Sequence, residues 1–188
     1  MMIQNGIRQL LDNHKVIPVV TIENEEQIEP IIKKLAALKI SVVEVTLRTN
    51  FALSAIQVLQ NEYKGLITVG AGTVVSESQV ASLHSIGVDF MVSPGSSYQL
   101  GNLMEASKIP FLPGAATPSE IIQCMERGWD TLKFFPADLF GGIKALKTYG
   151  QVFSSISFCP TGGIDESTYQ DYLSLENVVS VGGSWMIK

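Results

Sequence analysis

Short apolar runs rich in β-branched residues recur along the whole chain, and they restrict its fold more than any other feature. They lie at Val16–Thr21, Ser41–Thr46, Leu66–Gly70, Val88–Ser93, Ile109–Pro113, Thr131–Phe135, Ser155–Cys159 and Val178–Val181. Runs of this length read as strands, and the segments between them have helical periodicity. Glu25–Leu38 is one such helix, with Ile28, Ile31, Ile32, Leu35 and Leu38 on one face and Asn24 and acidic residues at its start. Thr117-Pro118-Ser119-Glu120 opens another, with Thr117 as N-cap, Pro118 at the first position and Glu120 closing a capping box. The N-terminal stretch forms a short amphipathic helix with Ile3, Ile7, Leu10 and Leu11 on one face. Strands that alternate with helices demand a parallel sheet.

Eight strand–helix units in 188 residues leave about 23 residues per unit, which suits one compact (β/α)8 barrel with terse loops. Residues 1–188 are therefore expected to form a single domain. An open doubly wound sheet is permitted by the same alternation. Glycine placement favours the barrel: Gly70, Gly72, Gly95, Gly114, Gly141, Gly142, Gly162, Gly163, Gly182 and Gly183 are all placed just beyond strand ends. Such loops form the active-site face of a barrel. After the eighth strand only Gly182–Lys188 remain, so the eighth helix is expected to be short or missing. Val179 and Val181 would then be exposed, covered by a neighbouring chain, or capped by the helix near Ile3–Leu11.

A hydrophobic content of 46%, with 16% charged residues, supports a large core and speaks against disorder. The longest apolar runs are too short to cross a bilayer, and the first residues lack the layout of a secretory signal. Cys124 and Cys159 belong to no CxxC pair and read as free thiols of a cytoplasmic protein. A net charge of −5 argues against nucleic acid or an anionic membrane as partner. A small anionic substrate is still allowed, because local charge decides binding in a pocket. With only three arginines, Arg8, Arg48 and Arg127, an anion site must lean on one of them, on lysine, or on backbone amides.

Strand parity singles out the chemistry. In Asp130-Thr131-Leu132-Lys133-Phe134-Phe135-Pro136, Leu132 and Phe134 share one face and Lys133 and Phe135 the other. In a barrel the all-apolar face packs on helices, so Lys133 points inward. Burial disfavours an ammonium and favours the neutral amine that attacks a ketone. The plainer alternative is a lysine that snorkels to solvent or pairs with a carboxylate. By the same parity Glu44 and Thr46 face inward while Val43 and Val45 face the helices. Glu44 and Lys133 would both aim at the barrel axis, either as a proton shuttle for imine chemistry or as a structural ion pair. Arg48, just past its strand, could grip a carboxylate or stand at the surface. Thr161-Gly162-Gly163 and Gly182-Gly183-Ser184 follow the last two strands, where barrels bind phosphate with backbone amides.

Other signals are negative. Gly70-Ala71-Gly72 has Val75 where a dinucleotide fingerprint needs glycine. His14, His84, Cys124 and Cys159 show no metal-ligand spacing, and both histidines read as surface residues. No nucleophile elbow and no Walker loop is present.

These residues resemble the 2-keto-3-deoxy-6-phosphogluconate (KDPG) / 4-hydroxy-2-oxoglutarate (KHG) aldolase family. The resemblance is carried by Ile17-Pro18-Val19, by Val43-Glu44-Val45-Thr46-Leu47-Arg48-Thr49 and by Val69-Gly70-Ala71-Gly72-Thr73-Val74. It continues through Ser93-Pro94-Gly95, Pro113-Gly114, Lys133-Phe134-Phe135-Pro136-Ala137, Phe158-Cys159-Pro160-Thr161-Gly162-Gly163-Ile164 and Gly182-Gly183-Ser184-Trp185. It implies a homotrimeric (β/α)8 barrel of the Entner-Doudoroff pathway that cleaves a keto acid phosphate to pyruvate and an aldehyde, with no metal and no cofactor. Lys133 matches the family's Schiff-base lysine and Glu44 its general acid/base. Arg48 and Thr73 match residues that hold the pyruvyl carboxylate. Phe135 lines the pocket, Pro94 lies in a matching substrate-binding block, and Thr161 is linked to stereochemical control. Gly162, Gly163, Gly183 and Ser184 match the phosphate site.

A sister group acting on the galactose-series substrate carries Glu-(Ile/Val)-Pro-Leu-Asn where this chain has Glu-Val-Thr-Leu-Arg. Gly95-Ser96-Ser97-Tyr98 and Ala115-Ala116 depart from the family pattern. A non-catalytic phosphosugar-binding barrel would keep the glycine pairs without needing both Lys133 and Glu44. A barrel isomerase or phosphate-dependent synthase would share the glycine loops but usually lacks the interior lysine.

Overall fold

The computed structural model describes residues 2–187. Helix α1 (Met2–Asn13) leads into β1 (Val16–Val20), a 3-10 turn over Glu25–Gln27 and α2 (Ile28–Ala37). There follow β2 (Val42–Thr46), α3 (Ala52–Glu62), β3 (Thr68–Gly72), α4 (Glu77–Ile86), β4 (Phe90–Val92) and α5 (Tyr98–Ser107). The second half holds β5 (Phe111–Leu112), β6 (Gly114–Ala115), α6 (Pro118–Glu126), β7 (Thr131–Phe134) and α7 (Gly142–Val152). The chain then runs through β8 (Ser157–Pro160), α8 (Tyr169–Leu173) and β9 (Val181–Gly183). This is an α/β fold in which every strand pairing is parallel. No helix follows β9 among the described residues.

Six strands form a sheet in the order β5-β4-β3-β2-β1-β9, and three form a second in the order β6-β7-β8. The order within each runs without the reversal that a doubly wound sheet requires. Only Pro113 separates β5 from β6, and its carbonyl accepts from the Lys133 amide at 2.8 Å. Isolated parallel bridges, Phe158 with Val178 and Thr161 with Gly182, join the β8 and β9 segments.

The local rules held where their signals were physical. Thr117 and Glu120 form the capping box, with Pro118 opening α6. Side-chain parity also held: Val43, Val45, Leu132 and Phe134 all lie in the cluster packed between strands and helices. Asn24, by contrast, makes no side-chain cap bond, and Gln27 Oε1 accepts the Glu23 amide instead. His84 is exposed as expected, but His14 is half-buried and burial lowers its pKa.

Three strand positions and the glycine rule need correction. The third strand is Thr68–Gly72, the penultimate Ser157–Pro160 and the last Val181–Gly183. Gly70, Gly72, Gly114, Gly182 and Gly183 therefore lie inside strands and not beyond their ends. The reason is close approach: a Cβ at Gly70 would collide with the Phe90 ring, and one at Gly72 with the Glu44 carboxylate.

Helix α1 covers one end of the sheets' inner side. Ile7 and Leu11 join Ile17, Val42, Phe90, Val92, Leu112, Cys159 and Val179 in a second apolar cluster. Val179 is thus capped by α1, whereas Val181 packs in the strand–helix cluster; the Ile3 side chain lies outside the described residues. The Gln4 amide ties the two sheets, donating to the Phe111 carbonyl at 3.2 Å and accepting from the Thr131 amide at 3.2 Å. Truncating Leu11, which is 1% exposed, removes buried methyls from the second cluster. Leu11→Ala is expected to cost about 2–5 kcal/mol of stability, read from the midpoint of urea unfolding. A shift below 1 kcal/mol would mean that α1 is dispensable to the core.

Candidate active site

Alternation in β2 and β7 turns Glu44 and Lys133 away from the helices and toward each other. Lys133 Nζ lies 3.1 Å from Glu44 Oε1, and the residues are 5% and 3% exposed. The pair links the six-stranded sheet to the three-stranded one across the interior. Glu44 has room because Gly72, one strand over, has no side chain. Gly114, in register with Lys133, lies so close to the Pro94 backbone that any Cβ would collide with it.

Phe135 stands next to the pair, its ring centroid 5.3 Å from Lys133 Nζ. It also lines an open cavity of about 240 Å³ with Val19, Thr21, Arg48, Thr161, Gly162, Gly163, Ile164, Gly183 and Ser184. Seven residues singled out from the sequence thus share one cavity wall. Thr73 is set just beside it: Arg48 Nε donates to its Oγ1 at 3.3 Å. Thr73 itself adopts a positive φ of 63°, a conformation costly for a β-branched residue. Pro94 does not line the cavity; it supports Gly114 from behind.

Of the three arginines, only Arg48 reaches this cavity. Arg8 pairs with Asp12 at 3.0 Å and donates to Ser157 at 2.7 Å, and Arg127 stacks on Trp129 with 4.6 Å to the ring centroid. Backbone also lines this cavity. Gly162 and Gly163 have φ of 100° and 72°, open to glycine and strained for other residues. The Asp138 amide donates to the Gly162 carbonyl at 3.2 Å, and a Cβ at Gly163 would collide with the Asp138 side chain. Gly163 is therefore required by the fold.

Parity reasoning passed over four residues, Val19, Thr21, Cys159 and Ile164. Cys159 is fully buried and in register with Lys133. Burial pushes its thiol up to about 12, against a smaller opposite pull from Lys133, so it stays neutral and is no rival nucleophile. Thr21 and Ile164 line the cavity although neither belongs to a strand. Strand parity cannot place Ile164, which lies beyond every strand, whereas Thr21 closes the run Val16–Thr21 and shares the parity of Val19, so its face was open to the same count. Among the described residues no group of three or more His, Cys, Asp or Glu side chains is placed to hold a metal ion.

The chain is 41% identical over 184 residues to the KHG/KDPG aldolase of Escherichia coli K12, covering 98% of this chain and 86% of that protein. It superimposes with a TM-score of 0.92 at 40% identity on the KDPG aldolase of Legionella pneumophila, a structure holding pyruvate captured at low pH as a covalent carbinolamine. That match covers 96% of this chain and 87% of the other. The KDPG aldolase of Zymomonas mobilis with 3-phosphoglycerate gives a TM-score of 0.92 at 38% identity, covering 97% and 86% of the two chains. The family model for KDPG and KHG aldolase matches residues 7–188. The chain belongs to the KDPG and KHG aldolase family and is an aldehyde-lyase.

Proposed function

We propose that this protein is a class I aldolase that cleaves KDPG to pyruvate and glyceraldehyde 3-phosphate, and KHG to pyruvate and glyoxylate, through a Schiff base on Lys133. The carrying observation is the Lys133–Glu44 contact of 3.1 Å in a closed interior. An amine needs a proton acceptor before it can attack, and Glu44 is within direct reach. Once the ammonium has passed its proton to Glu44, Nζ adds to the C2 ketone and a carbinolamine forms. Glu44 returns the proton to the departing hydroxyl, water leaves and an iminium remains. The carboxylate then removes the C4 hydroxyl proton and the C3–C4 bond breaks. Its electrons flow into the iminium, which becomes an enamine as the aldehyde departs. Glu44 delivers the proton to C3, and hydrolysis of the resulting imine frees pyruvate and Lys133.

Arg48 and Thr73 hold the pyruvyl carboxylate, and Phe135 packs beside the imine. Thr161 borders the reacting carbons and Pro94 supports the strand next to Lys133. The phosphate lies on Gly162, Gly163, Gly183 and Ser184, where amides can approach and Ser184 adds a hydroxyl. The two sheets act as one closed eight-stranded barrel of a single domain, with β5 and β6 as one interrupted strand. The bridges between the β8 and β9 segments and the Lys133–Pro113 bond at the other seam support this reading. Following the family resemblance, the assembly is a homotrimer acting in the cytoplasm.

Pyruvate with borohydride is expected to leave a stable adduct on the peptide containing Lys133, and Lys133→Ala to be inactive; mass spectrometry locating the adduct elsewhere would overturn the mechanism. Glu44→Gln should slow turnover by about 10²–10⁴-fold and impair trapping as well, since carbinolamine dehydration needs the same proton. Normal turnover in that variant would leave Glu44 a purely structural partner. Because the iminium supplies the electron sink, exhaustive chelation should leave the rate unchanged, and a metal-reversible loss would point to a class II mechanism. Ser184→Ala is the cleaner probe of phosphate binding, since Gly163 also serves the backbone. It should weaken KDPG binding by about 1.5–3 kcal/mol, seen in KM, with KHG little affected. Equal losses on both substrates would assign the loop to the fold alone.

A further inference from the structure

None of the steps above uses Thr21, an exposed residue directly after β1 whose side chain lines the cavity with Arg48, Phe135, Gly162 and Gly183. Beneath it lies Thr46, buried at 1% exposure. A hydroxyl has one proton and two lone pairs. The Thr46 proton goes to the Val20 carbonyl, 3.2 Å away. The 2.9 Å contact between the two hydroxyls can run in either direction, and the Thr46 donation to Val20 favours Thr21 as its donor. In that direction the Thr21 proton is used inward, and its oxygen offers the cavity only lone pairs.

We infer that Thr21 is a specificity-determining residue that accepts a hydrogen bond from the C5 hydroxyl of the six-carbon phosphorylated substrate. This rests on the aldolase reading, which fixes C2 at Lys133 beside Phe135 and the phosphate at the glycine loops. Carbons four and five then span the stretch of cavity between those two ends, which Thr21 borders. The C4 hydroxyl is engaged with Glu44, which takes its proton, so the C5 hydroxyl is the donor left for Thr21. In KHG the fifth carbon is a carboxylate, which can only accept and meets lone pair with lone pair. Thr21 therefore favours the longer substrate over the shorter one. Valine at this position would keep the β-branched shape but lose the oxygen.

The experiment compares kcat/KM for KDPG and for KHG in the wild type, in Thr21→Val and in Thr21→Ser. The ratio of the two constants is expected to fall roughly 3- to 10-fold in Thr21→Val, the scale of one neutral hydrogen bond, and to recover in Thr21→Ser. A ratio that does not move, or equal losses on both substrates, would overturn the inference and leave Thr21 as a support for Thr46. Borohydride trapping of pyruvate on the wild type separates the two levels. Failure to label Lys133 would remove the aldolase reading itself, whereas labelling with an unmoved ratio would remove only the role of Thr21.

Discussion

Two opposite charges, Lys133 and Glu44, meet inside the sheet interior, and the local structure is arranged to keep them there. Taking an ammonium and a carboxylate out of water costs several kcal/mol per ion, and their attraction repays it only in good geometry. The 3.1 Å contact joins residues 89 positions apart. Glycine at position 72 makes room for the glutamate, and glycine at 114 lets the strand beside Lys133 lie against Pro94. An apolar pair of similar size would be cheaper to bury. A buried charge pair beside Phe135, which lines an open cavity, is therefore better explained by chemistry than by stability.

In the proposed function, the two ends of the cavity solve the problem of binding an anion in different ways. At one end a single guanidinium, Arg48, is steadied by Thr73 in a strained backbone conformation. At the other, the positive-φ Gly162 and Gly163 line the cavity with backbone that carries no side chain. On that reading the acidic chain as a whole needs no basic patch, because donors are supplied locally. Covering the far end of the interior falls to α1, whose Ile7 and Leu11 close an apolar cluster built from five of the strands and Val179. The Gln4 amide adds a hydrogen bond to each of the two sheets.

Much of the site was legible in the sequence because its signals are local. Parity along β2 and β7 depends only on the pleat, so the inward faces of Glu44 and Lys133 could be read without any partner. The Thr117–Glu120 capping box needs four consecutive residues, and it formed as read. Glycine was misread more often. A glycine that marks a turn and one that makes way for a neighbour's side chain look identical in sequence, and Gly70 and Gly72 are of the second kind. Strand ends also slipped, since apolar content continues into loops such as Leu66, which is 75% exposed.

The sequence by itself determined which way the residues of β2 and β7 point, where α6 starts, and that the chain carries its reactive groups on parallel strands. Only the tertiary structure decided that Lys133 touches Glu44, that Thr21 borders the same cavity as Gly183, and that α1 serves as the plug. The physical reason is range. A side chain's face follows from the two-residue period of its own strand, but contact between distant strands follows from how the sheets curve. That curvature is set by all the strands and their packed helices together, and no single segment encodes it.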